Sequence, residues 1–501
     1  MRSISTLIMA LVCLLANAQT GIDVLRYSMQ DTQGTARFQA MAGAFGALGG
    51  ELSALNVNPA GSSVFKHGQL TATGTYYNRN NDASYGGMLR STSFNDAAIN
   101  QVGGVFVFKS PDSKWNKLAL AFNIDMVENF DNEWAASGTT TQGIDDYFLG
   151  FANGIPLQNL LLREGEFLEE GYIRVGSQLG EGGQQAFLGY FGGIIDPSDP
   201  DNINGDTYMT NTDGETFNQN YRQFTNGYNT KITLNFSGQY EERFHVGASL
   251  NFHSLFFERT TLFDEDGYTA DSPVSFMSFD NFLRTEGQGF SFSLGAIARV
   301  NDFFRLGGSY QSPTWYWLQD ETSQRINSNI ADTDIDFINF NTVVNLFDNY
   351  RLRTPGKLTG SAAIVFGKDG LLSFDYGYQD YSQARLLPTG DPNFFDANQF
   401  LSEQLGTVSS FRLGGEYRFE RFSLRGGYRF EETPFLDSTE MGDLQGFSGG
   451  LGYDFGSNRL DLAFTRTEQE MSERFFDASA ANSALVNRIN TTVALTYTLK
   501  F

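Results

Sequence analysis

Cysteine is nearly missing from this chain. Cys13 is the only one in 501 residues, which leaves no disulfide framework and no thiol chemistry for the rest. Histidine is almost as scarce: His67, His245 and His253 are all there are. The closer pair, His245 and His253, would stand roughly 26 Å apart along a strand, too far to share a metal ion. No metal and no cofactor are expected. With proline down to 11 residues, and no apolar run after the first twenty positions long enough for a helical span, transmembrane helices are excluded. Cations are outnumbered, 34 Lys and Arg against 58 Asp and Glu, and the net charge of -24 argues against nucleic acid or anionic lipid as a partner. The acidic clusters Asp264-Glu265-Asp266 and Asp196 to Asp201 miss the spacing of an EF-hand loop and read as solvated loop rather than calcium site. No Ser/His/Asp grouping presents itself, so no enzyme activity is expected.

What the chain does have is aromatic residues, 15%, and 54 glycines, the composition of many twisted strands joined by tight turns. Arg2, the apolar stretch Leu7 to Leu15 and Ala16-Asn17-Ala18 have the form of a secretory signal peptide, residues 1–18, with the mature chain starting at Gln19. At the other terminus Ile489, Thr491, Val493, Leu495, Tyr497, Leu499 and Phe501 alternate with Asn490, Thr492, Ala494, Thr496, Thr498 and Lys500. Successive strand side chains face opposite ways, so one face is lipid-tolerant and the other polar. Such a strand, stopping on an aromatic residue, resembles the closing strand of a bacterial outer-membrane barrel.

Period-2 segments predict fourteen strands between residues 68 and 501, an even count as in single-chain bacterial barrels. Links after even-numbered strands are short, as at Asn301-Asp302 and Glu420-Arg421, whereas those after odd-numbered strands are long: 80–100, 128–225, 258–285, 319–354, 386–405, 434–443 and 470–487. Barrels of this type keep short turns in the periplasm, which predicts that both termini lie there. Phe303, Phe304, Phe419 and Phe422 at one end and Trp315, Tyr316 and Trp317 at the other are candidates for interfacial girdles. Residues 19–67 lack the alternation, and a barrel this wide needs filling, so they are expected to form a plug. The connection 128–225 is too long for a bare loop. Within it, Ile144 to Leu162 predicts short helices whose Tyr147, Phe148, Phe151, Leu160 and Leu161 either gather greasy ligands or pack against other loops.

The plug region carries a second resemblance. Gly34-Thr35-Ala36-Arg37, then Met41 to Gly50 with Gly43, Gly46, Gly49 and Gly50, then Asn58-Pro59-Ala60-Gly61 resembles the N-terminal signature of the long-chain fatty acid transporter family of outer-membrane proteins (FadL/TodX). The resemblance implies a fourteen-stranded barrel closed by an N-terminal hatch. It also implies passive uptake of hydrophobic small molecules, fatty acids in particular, through loop capture, a lumen pocket, a hatch shift and a gap in the wall. The small residues either let the hatch rearrange or pack it statically. A fatty acid carboxylate would need lumenal cations, for which Lys231, Arg412, Arg425 and Arg429 are candidates; Asp375, Glu416, Glu431 and Asp454 are the acids that would otherwise pair with them. Tyr497, Leu499 and Phe501 are the expected signal to the barrel-assembly machinery, with outer-membrane lipid as surroundings. The alternative role is a structural barrel of the same family serving a protein-secretion or surface-attachment machine.

Overall fold

The structure, a computed structural model, describes residues 21–339, 343–476 and 482–501, so the expected signal peptide lies outside the described residues. Alternation builds the wall. In β1 (Gln69–Tyr85) Thr71, Thr73, Thr75 and Tyr77 are buried toward the lumen, while Leu70 and Tyr76 are exposed on the outside. The same rule runs through β2 (Met88–Lys109), β3 (Trp115–Asn129, resuming as Asn132–Thr140), β4 (Phe217–Tyr240), β5 (Phe244–Asp266), β6 (Phe276–Arg299) and β7 (Phe304–Gln311, resuming as Trp315–Ser328). It continues through β8 (Tyr350–Arg353, resuming as Lys357–Phe366), β9 (Gly370–Asp380), β10 (Thr407–Phe419), β11 (Phe422–Glu431), β12 (Leu444–Asp454), β13 (Asn458–Arg474) and β14 (Ser483–Lys500). Every strand pairs antiparallel with its neighbour in sequence, and β14 pairs with β1 from Gln69↔Lys500 to Ser84↔Leu485, which closes a fourteen-stranded barrel. Closure removes both sheet edges, the condition for crossing hydrocarbon with strands.

The outward phase is a band of exposed apolar side chains, among them Leu118, Leu120, Phe122, Ile232, Leu234, Phe236, Leu495, Tyr497 and Leu499. Among the described residues no helix is long and apolar enough to cross a membrane. At one end the links are short: 110–114, 241–243, 300–303, 367–369, 420–421 and 455–457. The other end carries the long ones, with corrections: β5 and β6 run to Asp266 and from Phe276 inside the predicted link 258–285, and β13 and β14 to Arg474 and from Ser483 inside 470–487. The predicted loop 80–100 is a hairpin that continues β1 and β2 to a Gly86–Gly87 turn, both glycines at positive φ (53° and 77°). Its polar residues disguised it, because above the apolar band both strand faces are wet. Tyr316 also departs from expectation: Trp317 is exposed outside and Trp315 half-buried, but Tyr316, in the opposite phase, is buried in the lumen against Asn229 and His253.

The long connection after β3 forms a cap. The helices predicted in 144–162 are α3 (Asp145–Ala152) and α4 (Leu157–Leu160); a third, α5 (Leu168–Phe191), packs on α3 and bends at Gly180 (φ 72°). α5 and a further helix, α6 (Phe395–Gln404), escaped prediction; in α5 glycines at 171, 176, 180, 182, 183 and 189 break up the helical signal.

Residues 21–64 fill the lumen as α1 (Gly21–Ser28), α2 (Ala36–Ala40) and two 3₁₀ turns, Ser53–Asn56 and Pro59–Val64. Asn58 caps the second turn by accepting from the Ala60 N–H (3.0 Å), while its amide donates to the Gly46 carbonyl (2.7 Å) and to the wall carbonyl of Ala296 (3.0 Å). The wall makes room with glycines. A Cβ at Gly307 would strike the Gly46 carbonyl, one at Gly247 the Pro59 carbonyl, and one at Gly414 would stand 2.7 Å from the Met41 carbonyl. Near the short-turn end, Arg37 of α2 and Arg425 of β11 both donate to Glu416 of β10 (2.8 and 2.6 Å), and Arg425 also reaches Asp461 of β13 (2.9 Å).

Candidate functional site

Between plug and wall, among the described residues, lie two chambers that meet at Gln30, Asp31 and Glu431, with a minor cleft of about 20 Å³ beside Gln39 and Thr492. The larger, about 220 Å³, lies beside α1 and is lined by Ile22, Leu25, Met29, Phe130, Phe257, Met441, Leu444 and Met471, with Arg26, Arg79, Arg429 and Arg488 among its polar groups. Flexible Met and ring surfaces of this kind accept an apolar chain without demanding one shape. The smaller, about 90 Å³, is polar and faces Lys231, His253, Lys357, Arg412 and Glu431.

Strand phase explains why those cations point inward. Lys231 shares its face of β4 with the buried Asn229, Thr233 and Asn235, and Arg412 shares its face of β10 with the buried Ser410 and Glu416. At this level β7 and β8 are interrupted side by side at Ser312-Pro313-Thr314 and Thr354-Pro355-Gly356, where proline cannot donate to the ladder. The breaks close on each other through Thr354 N–H to the Thr314 carbonyl (3.0 Å) and Thr314 N–H to the Thr354 hydroxyl (2.9 Å), and Lys357 enters the chamber just beyond them.

Among the described residues, Lys231, Lys357 and Arg412 have no ion pair within 4.0 Å, and the buried Arg412 Nε has no partner. The acid directly across the sheet from Arg412, Asp375, spends its carboxylate on the plug, accepting from the Phe45 and Gly46 N–H groups (both 3.0 Å). Asp125, directly across the sheet from Lys231, likewise accepts from Ser53 and Asn56 of the plug (3.3 and 3.0 Å), and Glu431 lines the same chamber. With no carboxylate within 4.0 Å among the described residues, the three cations can seat an anion, since an unpaired buried charge is costly.

Of the residues singled out from sequence, Arg412 and Lys231 therefore share one chamber. Arg429 stands at the junction, held by Asp31 (2.6 Å) and the Thr32 hydroxyl (2.8 Å). Arg425 is away from both chambers, with no exposed side-chain surface, inside the Glu416–Asp461 cluster. Phe148 and Leu160 are fully buried in the cap, and Tyr147, Phe151 and Leu161 pack partly buried against its core; apolar residues exposed there include Leu162, Phe167, Ile173, Ile203 and Met209. Gly43, Gly49 and Gly50 turn the plug backbone at positive φ, and Gly46 abuts Ser361. Tyr497, Leu499 and Phe501 are exposed outward, with the Phe501 N–H donating to the Gly68 carbonyl (2.9 Å) at the short-turn rim. Lys357 is the chamber residue not singled out from sequence, although the links read there put it inside a strand starting at 355.

The wall itself is incomplete at one place. β2 and β3 pair from Lys109↔Lys117 to Gln101↔Asp125 and no further; β3 then bulges between Met126 and Glu128 and follows β4 alone. The edge of β2 from 88 to 100 is left without a ladder partner on that side. Single contacts bridge it: the Thr92 hydroxyl donates to the Glu133 carbonyl (3.2 Å) and Arg90 to Asn220 (2.7 Å), while Arg79 of β1 donates to the carbonyls of Asn129 (2.6 Å) and Asp131. The gap begins at Ile99, 74% exposed at the margin of the apolar band, and Arg79, Glu128 and Asn129 connect it to the larger chamber.

These features define a class: a closed, plugged, fourteen-stranded membrane barrel with an internal pocket and an interrupted wall. The chain matches no family model and no curated protein. Its fold is that of solved barrels. A Pseudomonas aeruginosa FadL homologue aligns over 95% of this chain and 100% of its own, with TM-score 0.57 and 12% identity. The Pseudomonas putida toluene transporter TodX aligns over 95% and 100% (TM-score 0.52, 13% identity), and the Ralstonia pickettii toluene transporter TbuX over 94% and 99% (TM-score 0.50, 14% identity). The architecture read from the Asn-Pro-Ala-Gly plug and the terminal strand is thus the FadL/TodX fold.

Proposed function

We propose that this chain is an outer-membrane channel for passive uptake of hydrophobic small molecules that carry a carboxylate, long-chain fatty acids above all. Barrels of the same fold include a FadL homologue and toluene transporters. Its carrying observation is the pairing of an apolar chamber with Lys231, Lys357 and Arg412, cations with no carboxylate within 4.0 Å among the described residues. A hydrocarbon has no use for those charges; a fatty acid places its chain beside α1 and its head group among them. The long-loop end faces outside and the termini lie in the periplasm, as secretion and the short turns require. Cargo enters past the cap, waits in the chambers and leaves through the β2–β3 gap once Asp31 and Arg429 part. A pocketed lumen also favours transport over a purely structural, docking role.

The test is binding of palmitate and of toluene to the purified protein and to the variant Lys231→Gln/Lys357→Gln/Arg412→Gln. Loss of charge-assisted hydrogen bonds worth about 1.5–3 kcal/mol each predicts palmitate weakened at least tenfold with toluene unchanged. Unchanged palmitate affinity would sink the carboxylate assignment; no palmitate binding by the unaltered protein would sink the function.

A further inference from the structure

The short-turn mouth of the barrel concentrates positive charge in one sector. Lys109 of β2 is directly opposite Lys117 of β3, and Arg299 of β6 directly opposite Arg305 of β7. All four belong to the inward phase: Lys117 follows the face of buried Ala119 and Ala121, Lys109 that of Val105, Arg299 that of Ile297, and Arg305 that of Gly307, which abuts the plug. Like charges directly opposed on a sheet are destabilising, so two such pairs in a chain of net charge -24 call for an anion. Lys66, at the end of the plug, adds its field to Lys117. The charges of Lys117, Arg305 and Arg299 all act on His245, whose Nδ1 sits 2.8 Å from the Ser63 hydroxyl of the plug, so the cations follow the seam between plug and wall.

Elsewhere on that rim several cations are paired with acids. Arg418 pairs with Glu416, Arg459 with Asp461 (2.9 Å) and Lys500 with Asp454 (2.6 Å). In the basic sector Arg299 reaches Asp302 (3.0 Å), whose side chain is 86% exposed, and Lys117 feels Glu242; Lys66, Lys109 and Arg305 have no carboxylate within 4.0 Å among the described residues. Arg305 donates to the Leu48 carbonyl (3.1 Å), leaving its buried Nε without a partner.

We propose that this crescent, Lys66, Lys109, Lys117, Arg299 and Arg305, docks an acidic segment of a soluble protein on the side that the short turns face. Three strand spacings put the two like-charged pairs roughly 14 Å apart, a span that one phosphate or carboxylate cannot bridge and four or five extended residues can. The inward phase points the cations at the mouth rather than at the surrounding lipid, which favours a soluble polyanion over head groups. Docking there contacts the seam at Ser63 to Lys66, the last stretch of the plug before β1.

A labelled octaglutamate peptide, titrated into the full-length protein in neutral detergent, tests this. Binding is expected to weaken as salt rises. It should fall at least tenfold in Lys109→Gln/Lys117→Gln/Arg299→Gln/Arg305→Gln, recover in Lys109→Arg/Lys117→Arg, and stay unchanged in Arg421→Gln, in the turn between β10 and β11 away from the crescent. Carbodiimide coupling of the peptide to the unaltered protein, which needs no variant to fold, should yield adducts at Lys66, Lys109 and Lys117. Adducts spread equally over Lys114, Lys368 and Lys500, or equal binding by the quadruple variant, would overturn the proposal. So would protection of the three lysines by phosphatidylglycerol micelles but not by the peptide, which would make the ligand a lipid.

Discussion

The Glu416 side chain has no exposed surface and receives Arg37 from the plug, Arg425 from the next strand and Arg418 from its own. Removing one member of such a cluster strands the others, so Glu416→Gln should lower the unfolding free energy by about 3–5 kcal/mol, measured by urea titration of protein folded into vesicles. In the cap, hydrogen bonds from Arg174 (2.7 and 3.0 Å) hold the Glu166 carboxyl down at about 2. A carboxyl held low in the folded state stabilises above its unfolded value, here 4.5, and loses that contribution as pH falls toward 2. Amide-exchange protection in the first turn of α5, measured relative to the intrinsic rate, should therefore be steady from neutral pH to the carboxylate range and fall below it; Glu166→Gln should show no such step. Strand phase made Lys231 and Arg412 legible as lumenal cations, but phase alone could not separate Arg412, left open, from Arg425, consumed by Glu416 and Asp461. That distinction depends on contacts between residues tens of positions apart.

Adjacent glycines in β7 isolate how the plug is held. A Cβ on Gly307 would meet the backbone of Gly46 and Ala47, whereas Gly308 faces open space. Gly307→Ala should loosen the plug, seen as faster proteolysis within 21–64, while Gly308→Ala should behave as the parent. Close backbone contact along several strands favours a plug wedged in place over one kept loose by its small residues. Wall strands were readable because alternation under an apolar band is a strong signal. The β1–β2 hairpin above that band was not, since residues wetted on both faces carry no pattern, and the Gly-rich α5 is held by burying Tyr172, Phe187 and Leu188 in the cap.

For the molecule as a whole, fourteen strands and a filled lumen predict that the intact protein shows no large steady conductance in a planar bilayer, and that removing 21–64 opens one. Barrel and plug could be read from the two ends of the chain. The gap between β2 and β3 could not, because it arises where β3 leaves one neighbour to follow the other, a choice of partner that neither strand's sequence records. Density for a bound long-chain fatty acid tests the central claim most directly. The carboxylate is predicted within hydrogen-bond distance of Arg412, Lys231 or Lys357 with the chain running beside α1; a head group seated away from all three cations would contradict it.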